Sequence, residues 1–139
     1  MYDIPYDQSL ETAPEVTAPD GSIVRPLCRI TDGGSFAHFQ LAQGQTSKAV
    51  SHATVQEIWY IIGGTGCMWR RQEGREPTKV RLRAGLCLTI PLGTTFQFRA
   101  DDGAEPLRAV AVTMPPWPVD RPDEARLADG PWTPLLGTG

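Results

Sequence analysis

The residues best suited to chemistry in this chain are a histidine and a glutamate, His52 and Glu57. The chain holds two histidines among its 139 residues, so each one is a specific feature. Imidazole has an unperturbed pKa near neutrality, and a histidine and a carboxylate that face one cavity can therefore serve as base and orienting group. The same two groups can also bind a metal ion. The other histidine, His38, lies in a short apolar run in which strand alternation puts Gln40 on the same face.

Composition predicts one soluble domain. A chain of 139 residues can bury about two-thirds of its unfolded surface, which is enough for one core. The net charge is −3, from 13 basic and 16 acidic residues without long runs of either sign, so there is no electrostatic footprint for nucleic acid or an anionic membrane. The N-terminus lacks a basic start followed by an apolar run, and no apolar stretch is long enough to cross a bilayer. We therefore expect a cytoplasmic protein that binds neither nucleic acid nor membrane.

The pattern along the chain favours an all-β fold. Short apolar-rich runs alternate with glycine and aspartate turn signals, as expected of a sandwich or barrel. No window has a sustained helical period, and at most one helical turn is expected near 123–128. The predicted strands are 22–30, 35–42, 46–51, 56–63, 66–72, 78–83, 86–90, 94–100 and 107–114.

The two ends of the chain differ from the β region. Residues 1–20 are polar and contain three prolines without alternation, so they are interpreted as an N-terminal arm on the surface or on a neighbouring subunit. Residues 21–116 form the predicted barrel. Residues 117–139 form a proline-rich tail that carries Trp117 and Trp132, and we expect an extended segment held by these aromatic anchors.

Two glycine-anchored segments place His52 and Glu57 in a wider pattern. The first segment runs from Gly44 through Val50, His52 and Glu57 to Gly64. The second, which begins after twenty intervening residues, contains Gly85, Pro91-Leu92-Gly93, Phe96 and Ala100. In order and spacing these segments closely resemble the two signature motifs of the cupin family. The resemblance implies a cupin-type jelly-roll β-barrel or sandwich with a pocket inside it, here with an extended N-terminal arm and a proline-rich C-terminal tail.

The resemblance also implies a metal site, and this chain departs from it. The usual ligand set of the family is three histidines and one glutamate. His52 and Glu57 match the second-histidine and glutamate positions, but Val50 and Phe96 stand at the first- and third-histidine positions. A metal ion held by two protein ligands alone would keep mostly water and bind loosely. The cofactor is therefore expected to be either none or a single divalent metal ion, for which His38 would be a third ligand beside His52 and Glu57.

Strand parity extends the predicted pocket. If Glu57 faces inward, as the resemblance implies, Trp59 faces inward with it, and Phe96 shares a face with Phe98. The predicted substrate pocket is therefore lined by His38, Gln40, Trp59, Phe96 and Phe98 around the catalytic pair His52 and Glu57. The opposite face of the same strand is also apolar, through Ile58, Tyr60 and Ile62. Cupins commonly pair through their sheets, and a homodimer is predicted.

Three functions fit these residues, and fold alone does not choose among them. The first is a small-molecule-binding cupin that acts as a metal-independent isomerase, cyclase or lyase through proton transfer. The second is a metal-dependent dioxygenase or isomerase with an atypical site made of His38, His52 and Glu57. The third is a non-catalytic ligand-binding or sensor module. The sequence thus leaves open whether the protein is an enzyme.

Overall fold

The computed structural model describes residues 3–103 and 105–137, so the two terminal residues of the predicted arm and of the predicted tail lie outside the described residues. All regular structure in the described part of the chain is β, which confirms the predicted class. No helix there is long and apolar enough to cross a membrane. The strands are β1 (Val16–Thr17), β2 (Ile23–Ile30), β3 (Gly34–Leu41), β4 (Val50–His52), β5 (Gln56–Gly63), β6 (Thr65–Gln72), β7 (Thr78–Arg83), β8 (Cys87–Ile90), β9 (Thr94–Ala100), β10 (Leu107–Met114) and β11 (Ala125–Leu127).

Two antiparallel sheets pack as a sandwich. The six-stranded sheet has the order β1-β2-β3-β10-β5-β8, and the five-stranded sheet has the order β11-β4-β9-β6-β7. The sheets do not close into a barrel, so the sandwich form of the predicted jelly roll is the correct one. Buried side chains from both sheets form one core, which includes Trp59, Ile61, Met68, Leu82, Phe96 and Phe98.

Strand β5 shows how alternation builds the inner face. Glu57, Trp59 and Ile61 are buried, while the residues between them are exposed. Trp59 lies opposite Ala111 of β10 on one side and Leu88 of β8 on the other, so an apolar row crosses the sheet. Because the period of a strand is two, the carboxyl of Glu57 is carried into the same interior as the indole of Trp59.

The turn after β5 needs a glycine. Gly64 has a φ of 72°, and a Cβ at this position would lie 2.3 Å from the carbonyl oxygen of Pro106. An L-residue is therefore disfavoured both by the backbone conformation and by the neighbouring chain. This explains in physical terms why the first glycine-anchored segment ends on a glycine.

The arm and the tail are both part of the sandwich. Residues Val16–Thr17 of the arm pair with β2 at the edge of one sheet. In the tail, Ala125–Leu127 pairs with β4 at the edge of the other sheet, so the helical turn expected near 123–128 is wrong. The strand predicted at 46–51 is shorter than expected, because Thr46 makes only isolated bridges, to Arg99 and Leu135.

Trp132, which the sequence analysis proposed as an aromatic anchor, holds the end of the tail. Its ring lies under the guanidinium of Arg99 at 4.4 Å and the ammonium of Lys79 at 5.6 Å, measured to the ring centroid. The buried amide of Gln97 donates to the Trp132 carbonyl at 2.8 Å and accepts from the Trp132 amide at 3.2 Å. The tail is therefore held by hydrogen bonds between the Gln97 side chain and the Trp132 main chain as well as by cation–π contacts.

The outer face of the six-stranded sheet is apolar and open. Phe36, Ile58, Tyr60 and Ile62 are between 36% and 48% exposed on this face. The N-terminal arm reaches part of this face, where the guanidinium of Arg25 donates a hydrogen bond to the Leu10 carbonyl at 3.1 Å and its cross-strand partner His38 is 6% exposed. The apolar side chains around Ile58 and Tyr60 stay exposed. A covering second copy of the chain is still a prediction.

Candidate functional site

A cavity of about 360 Å³ lies between the two sheets. Its apolar wall comes from both sheets, and its polar groups come from the β1–β2 turn and from strands β3, β4, β5 and β10. The apolar residues include Val24, Ala37, Phe39, Val50, Trp59 and Phe96, and the polar ones include Asp20, Ser35, His52, Glu57 and Thr113. A few polar groups that converge in an apolar concavity are the usual form of a small-molecule site.

Glu57 is the buried acid of this cavity. It is 4% exposed, and one of its carboxyl oxygens, Oε1, accepts a hydrogen bond of 2.7 Å from the indole Nε1 of Trp59. The two residues are neighbours on the inner face of β5, so strand geometry alone brings donor and acceptor together. Burial raises the pKa of Glu57 to about 7, the Trp59 hydrogen bond opposes this rise, and the charges of Asp20 and Glu124 add to it.

His52 faces Glu57 from the other sheet. It ends β4, and its Nδ1 lies 3.9 Å from Oε2 of Glu57, which is longer than a hydrogen bond. The side chain is 8% exposed, and its Nδ1 is buried without a hydrogen-bond partner among the described residues. The imidazole packs edge-on against the rings of Phe96 and Trp117, at centroid distances of 5.4 and 5.1 Å.

The electrostatics of the pair assign the titrating group. Burial lowers the pKa of His52 to about 4, against the opposing charge of Glu124 and a hydrogen bond with the Val55 backbone. At neutral pH the imidazole is therefore neutral, whereas the carboxyl of Glu57 is poised between its two forms. The sequence suggested His52 as base and Glu57 as orienting group, and the burial of both residues favours the reverse assignment.

The donor set does not fit the metal site that the family resemblance implies. Val50 and Phe96, at the first- and third-histidine positions, are cross-strand partners and are each 1% exposed. In the part of the chain that the structure describes, no three side chains of histidine, cysteine, aspartate or glutamate come together in a metal-binding group. His52 and Glu57 are two donors beside apolar groups that fill the other ligand positions.

His38 does not supply the missing ligand. It pairs with Arg25 of β2 and Val110 of β10, in a row of the six-stranded sheet that continues to Tyr60 on the outer face. Its neighbours Ala37 and Phe39 face the cavity instead, and neither His38 nor Gln40 lines it. The predicted placement of both residues in the pocket is wrong, because sequence alternation does not say which of two faces is inside.

Two of the three aromatic residues predicted for the pocket lie at the cavity. Trp59 and Phe96 line the cavity, but Phe98 lies behind them in the core, with its ring centroid 5.1 Å from that of Trp59. Phe39, which was not predicted, stacks on Trp59 with centroids 5.2 Å apart and planes at 10°. The wall is therefore a cluster around Trp59 with Phe96 and Phe39 at the cavity.

Two further residues of the site escaped the sequence analysis. Asp20, the last residue of the predicted arm, is 7% exposed and lines the cavity. The only signal for it was its place in an Asp-Gly-Ser turn, which is more often structural. Trp117 was expected to anchor the tail, but its ring covers His52, and its amide donates to Ser35 Oγ at 2.9 Å.

Glu124 fixes the loop that follows His52. Its carboxylate accepts hydrogen bonds from the Thr54 amide at 2.8 Å, the Thr54 hydroxyl at 2.5 Å and the Val55 amide at 3.1 Å. Burial would raise the pKa of Glu124, but these hydrogen bonds and the nearby His52 lower it below its ordinary value. No sequence pattern links residue 124 to residues 54 and 55, and the tail has to fold back before they meet.

Comparison with known proteins identifies the fold. No protein-family model and no curated protein sequence matches the chain. Among solved structures, the capsular polysaccharide assembling protein CapF of Staphylococcus aureus matches with a TM-score of 0.72 and 14% identity, over 85% of this chain and 34% of that one. The chain has the cupin fold. It spans about a third of the length of CapF.

Other cupin structures match the chain along different shares of their length. Pac13 from Streptomyces, described as a nucleoside dehydratase, matches with a TM-score of 0.67 and 12% identity, over 96% of this chain and 95% of Pac13. A variant of Pac13 is known in complex with uridine and matches with a TM-score of 0.68. Fe(II)-bound HppE matches with a TM-score of 0.62 and 13% identity, over 82% of this chain and 64% of HppE. At these identities the likeness shows the fold alone.

Proposed function

We propose that this cupin is a small-molecule enzyme that works by proton transfer without a metal ion, with Glu57 and His52 as its acid–base pair. The observation that carries the proposal is a buried carboxyl with a pKa of about 7, which faces a neutral imidazole in an apolar cavity. A carboxyl whose pKa lies near the working pH is an effective general acid or base. Carboxyls whose pKa values are strongly shifted by burial and a neighbouring charge are concentrated at functional sites.

The cavity suits a small ring compound. Its volume of about 360 Å³ is at the lower end of the range for ligand pockets, which is roughly 300–1,000 Å³. The aromatic side chains of Trp59, Phe96 and Trp117 offer apolar faces and edges to a planar or cyclic group. The hydroxyls of Ser35 and Thr113 lie in one cross-strand row with Glu57, so a hydroxylated edge of the ligand would meet polar partners there.

The reactions that this pair can support are elimination and isomerisation. In an elimination, the carboxylate of Glu57 takes a proton from a carbon beside a carbonyl group and a carbon–carbon double bond forms. A hydroxyl on the next carbon then leaves as water with the proton that Glu57 has taken, which returns Glu57 to its ionised form. In an isomerisation the same proton returns to a different atom. The match to Pac13 over nearly the whole of both chains supports elimination as the first reaction to test. Nucleosides are accordingly the first ligand class.

The test is a binding and exchange experiment with uridine and other uncharged nucleosides. Binding is measured by isothermal titration calorimetry. Catalysis is measured by nuclear magnetic resonance in D₂O after oxidation of the nucleoside 5′-hydroxyl to an aldehyde, since proton removal beside the aldehyde exchanges the carbon-bound proton for deuterium even when no water is lost. We expect exchange or elimination with the wild type, and at least a hundredfold loss in Glu57→Gln.

Matched variants separate the possible outcomes. His52→Gln keeps a polar side chain of similar size and should reduce the rate, whereas Glu73→Gln, in the exposed β6–β7 turn, makes the same chemical change as Glu57→Gln away from the cavity and should have no effect. Binding without exchange would instead support the non-catalytic ligand-binding alternative. If no member of a panel of nucleosides, cyclic ketones and sugar lactones binds or undergoes exchange, the proposed substrate range is refuted.

A further inference from the structure

The N-terminal arm delivers a second carboxyl to the cavity. Asp20 stands at the turn between β1 and β2, where the Ala18 amide bonds to the Ser22 carbonyl at 2.8 Å and Gly21 has a φ of 95°. This turn brings the Asp20 side chain into the cavity that His52 and Glu57 line. A residue that looks like the end of a surface arm is therefore more than nine-tenths buried at the site.

The hydrogen bonds of Asp20 occupy one of its two carboxyl oxygens. Oδ1 accepts from the Ser22 amide at 2.9 Å and from the Ser22 hydroxyl at 2.6 Å. Oδ2 has no hydrogen bond among the described residues, and it keeps some solvent-accessible surface. A turn motif needs only the first oxygen. The second is free to exchange a proton or to bind a ligand hydroxyl.

Asp20 also acts electrostatically on Glu57. Burial raises the pKa of Asp20, and the charge of Asp20 adds to the rise in the pKa of Glu57. Two carboxyls that share a poorly solvated cavity cannot both ionise easily, so they release their protons in two coupled steps. Lys48 lies near Asp20, and its charge opposes the rise in the Asp20 pKa. Among the described residues, the other titratable or charged groups that line the cavity or act on Glu57 are Tyr6, Cys28, the exposed Arg29, His52 and Glu124.

We propose that Asp20 and Glu57 form a coupled pair of carboxyls, and that this pair, rather than Glu57 alone, holds the proton that the site exchanges with its ligand. The proposal deepens the proposed function and rests on it for the identity of the reaction. In an elimination, the ionised member of the pair takes the carbon-bound proton and the protonated member gives its proton to the leaving hydroxyl. The pair regains its starting state by exchanging a proton with solvent, so the enzyme undergoes no net change.

The test needs no ligand, because Trp59 reports on Glu57. The indole Nε1–H of Trp59 bonds to Glu57 Oε1, so its proton and nitrogen chemical shifts change when that carboxyl titrates. The resonance is assigned by its disappearance in Trp59→Phe and followed from pH 4 to 9 in the 139-residue chain. In Asp20→Asn, which keeps the Oδ1 acceptor for Ser22, we expect the Glu57 midpoint to move to lower pH. In Asp7→Asn, an exposed arm residue, it should stay in place.

The outcomes are distinct from those of the nucleoside experiment. A midpoint in Asp20→Asn equal to that of the wild type would overturn the coupled pair, whatever the enzyme does to nucleosides. If Asp20→Asn fails to fold, the wild-type curve above pH 5 decides, since His52, with a pKa of about 4, has largely titrated below that pH. In that range a coupled pair gives two steps in the Trp59 resonance and an isolated Glu57 gives one. Coupling observed without nucleoside binding or exchange would keep the pair and refute the proposed substrate.

Discussion

Replacement of Glu124 tests whether the folded-back tail holds the His52 loop. The Glu124 carboxylate accepts three hydrogen bonds from Thr54 and Val55, and the side chain is 1% exposed. A hydrogen bond to a charged group contributes about 1.5–3 kcal/mol, and such contributions are not additive within one network. We expect Glu124→Ala to lose about 3–5 kcal/mol, because it also leaves a buried Val55 amide without its acceptor. Glu124→Gln keeps the shape and one carbonyl oxygen and should lose about 1–2 kcal/mol.

The assay is urea unfolding followed by tryptophan fluorescence at several pH values, with Glu73→Gln as the exposed control. The pKa of Glu124 in the folded protein lies below its ordinary value of 4.5. Its contribution to stability is therefore fully present above about pH 4.5 and is lost as the pH falls through the lower, folded-state pKa. The difference between the wild type and Glu124→Gln should shrink in that acid range. Equal stabilities of the wild type and Glu124→Gln at pH 7, or a stability difference that does not change with pH, would refute the role of Glu124 in holding the His52 loop.

Three further predictions concern the site, the metal positions and the outer face. Glu57→Gln should become more stable than the wild type as the pH rises from 4.5 through about 7, because the wild type loses stability when a buried carboxyl with a raised pKa ionises. The pKa shift corresponds to about 3 kcal/mol of unfolding free energy. An equal stability difference between the two proteins at pH 5 and pH 8 would contradict this prediction. Replacing both Val50 and Phe96 by histidine should create a site that retains nickel or zinc at about one equivalent per chain in elemental analysis, against the wild-type protein loaded in the same way; equal retention by both would show that these two positions do not decide metal binding. In sedimentation velocity, Ile58→Lys on the outer face should convert the predicted homodimer to a monomer, and a monomeric wild type would show that prediction to be wrong.

Most of the sandwich could be predicted because strand signals are local. The alternation in 56–63 and the turn at Gly64 are properties of neighbouring residues, and both appear in the structure at the expected positions. The strand at 125–127 could not be predicted, since it forms only because β4 offers it an edge. The shortened strand at Val50–His52 has a similar cause: the segment before it bridges both the tail and β9 instead of joining one ladder.

The candidate site also has residues that the sequence could place and residues that it could not. Parity fixed Glu57 and Trp59 on one face, and the structure places both at the cavity. The same parity put His38 and Gln40 on one face of their strand, but it did not say whether that face points inward. The orientation depends on how β3 pairs with β2 and β10. Parity states which residues go together, whereas the sheet they join decides where they go.

The sequence by itself determined an all-β chain, the glycine-anchored segments and the absence of two of the usual cupin ligands, because these are matters of residue type and short-range spacing. Only the tertiary structure decided that Asp20 and Glu124, from opposite ends of the chain, meet the His52 region, that His38 lies outside the cavity, and that Glu57 titrates near neutrality. The physical reason is that pKa values and cavity walls depend on burial and on neighbours distant in sequence. Such neighbours exist only once both sheets have packed.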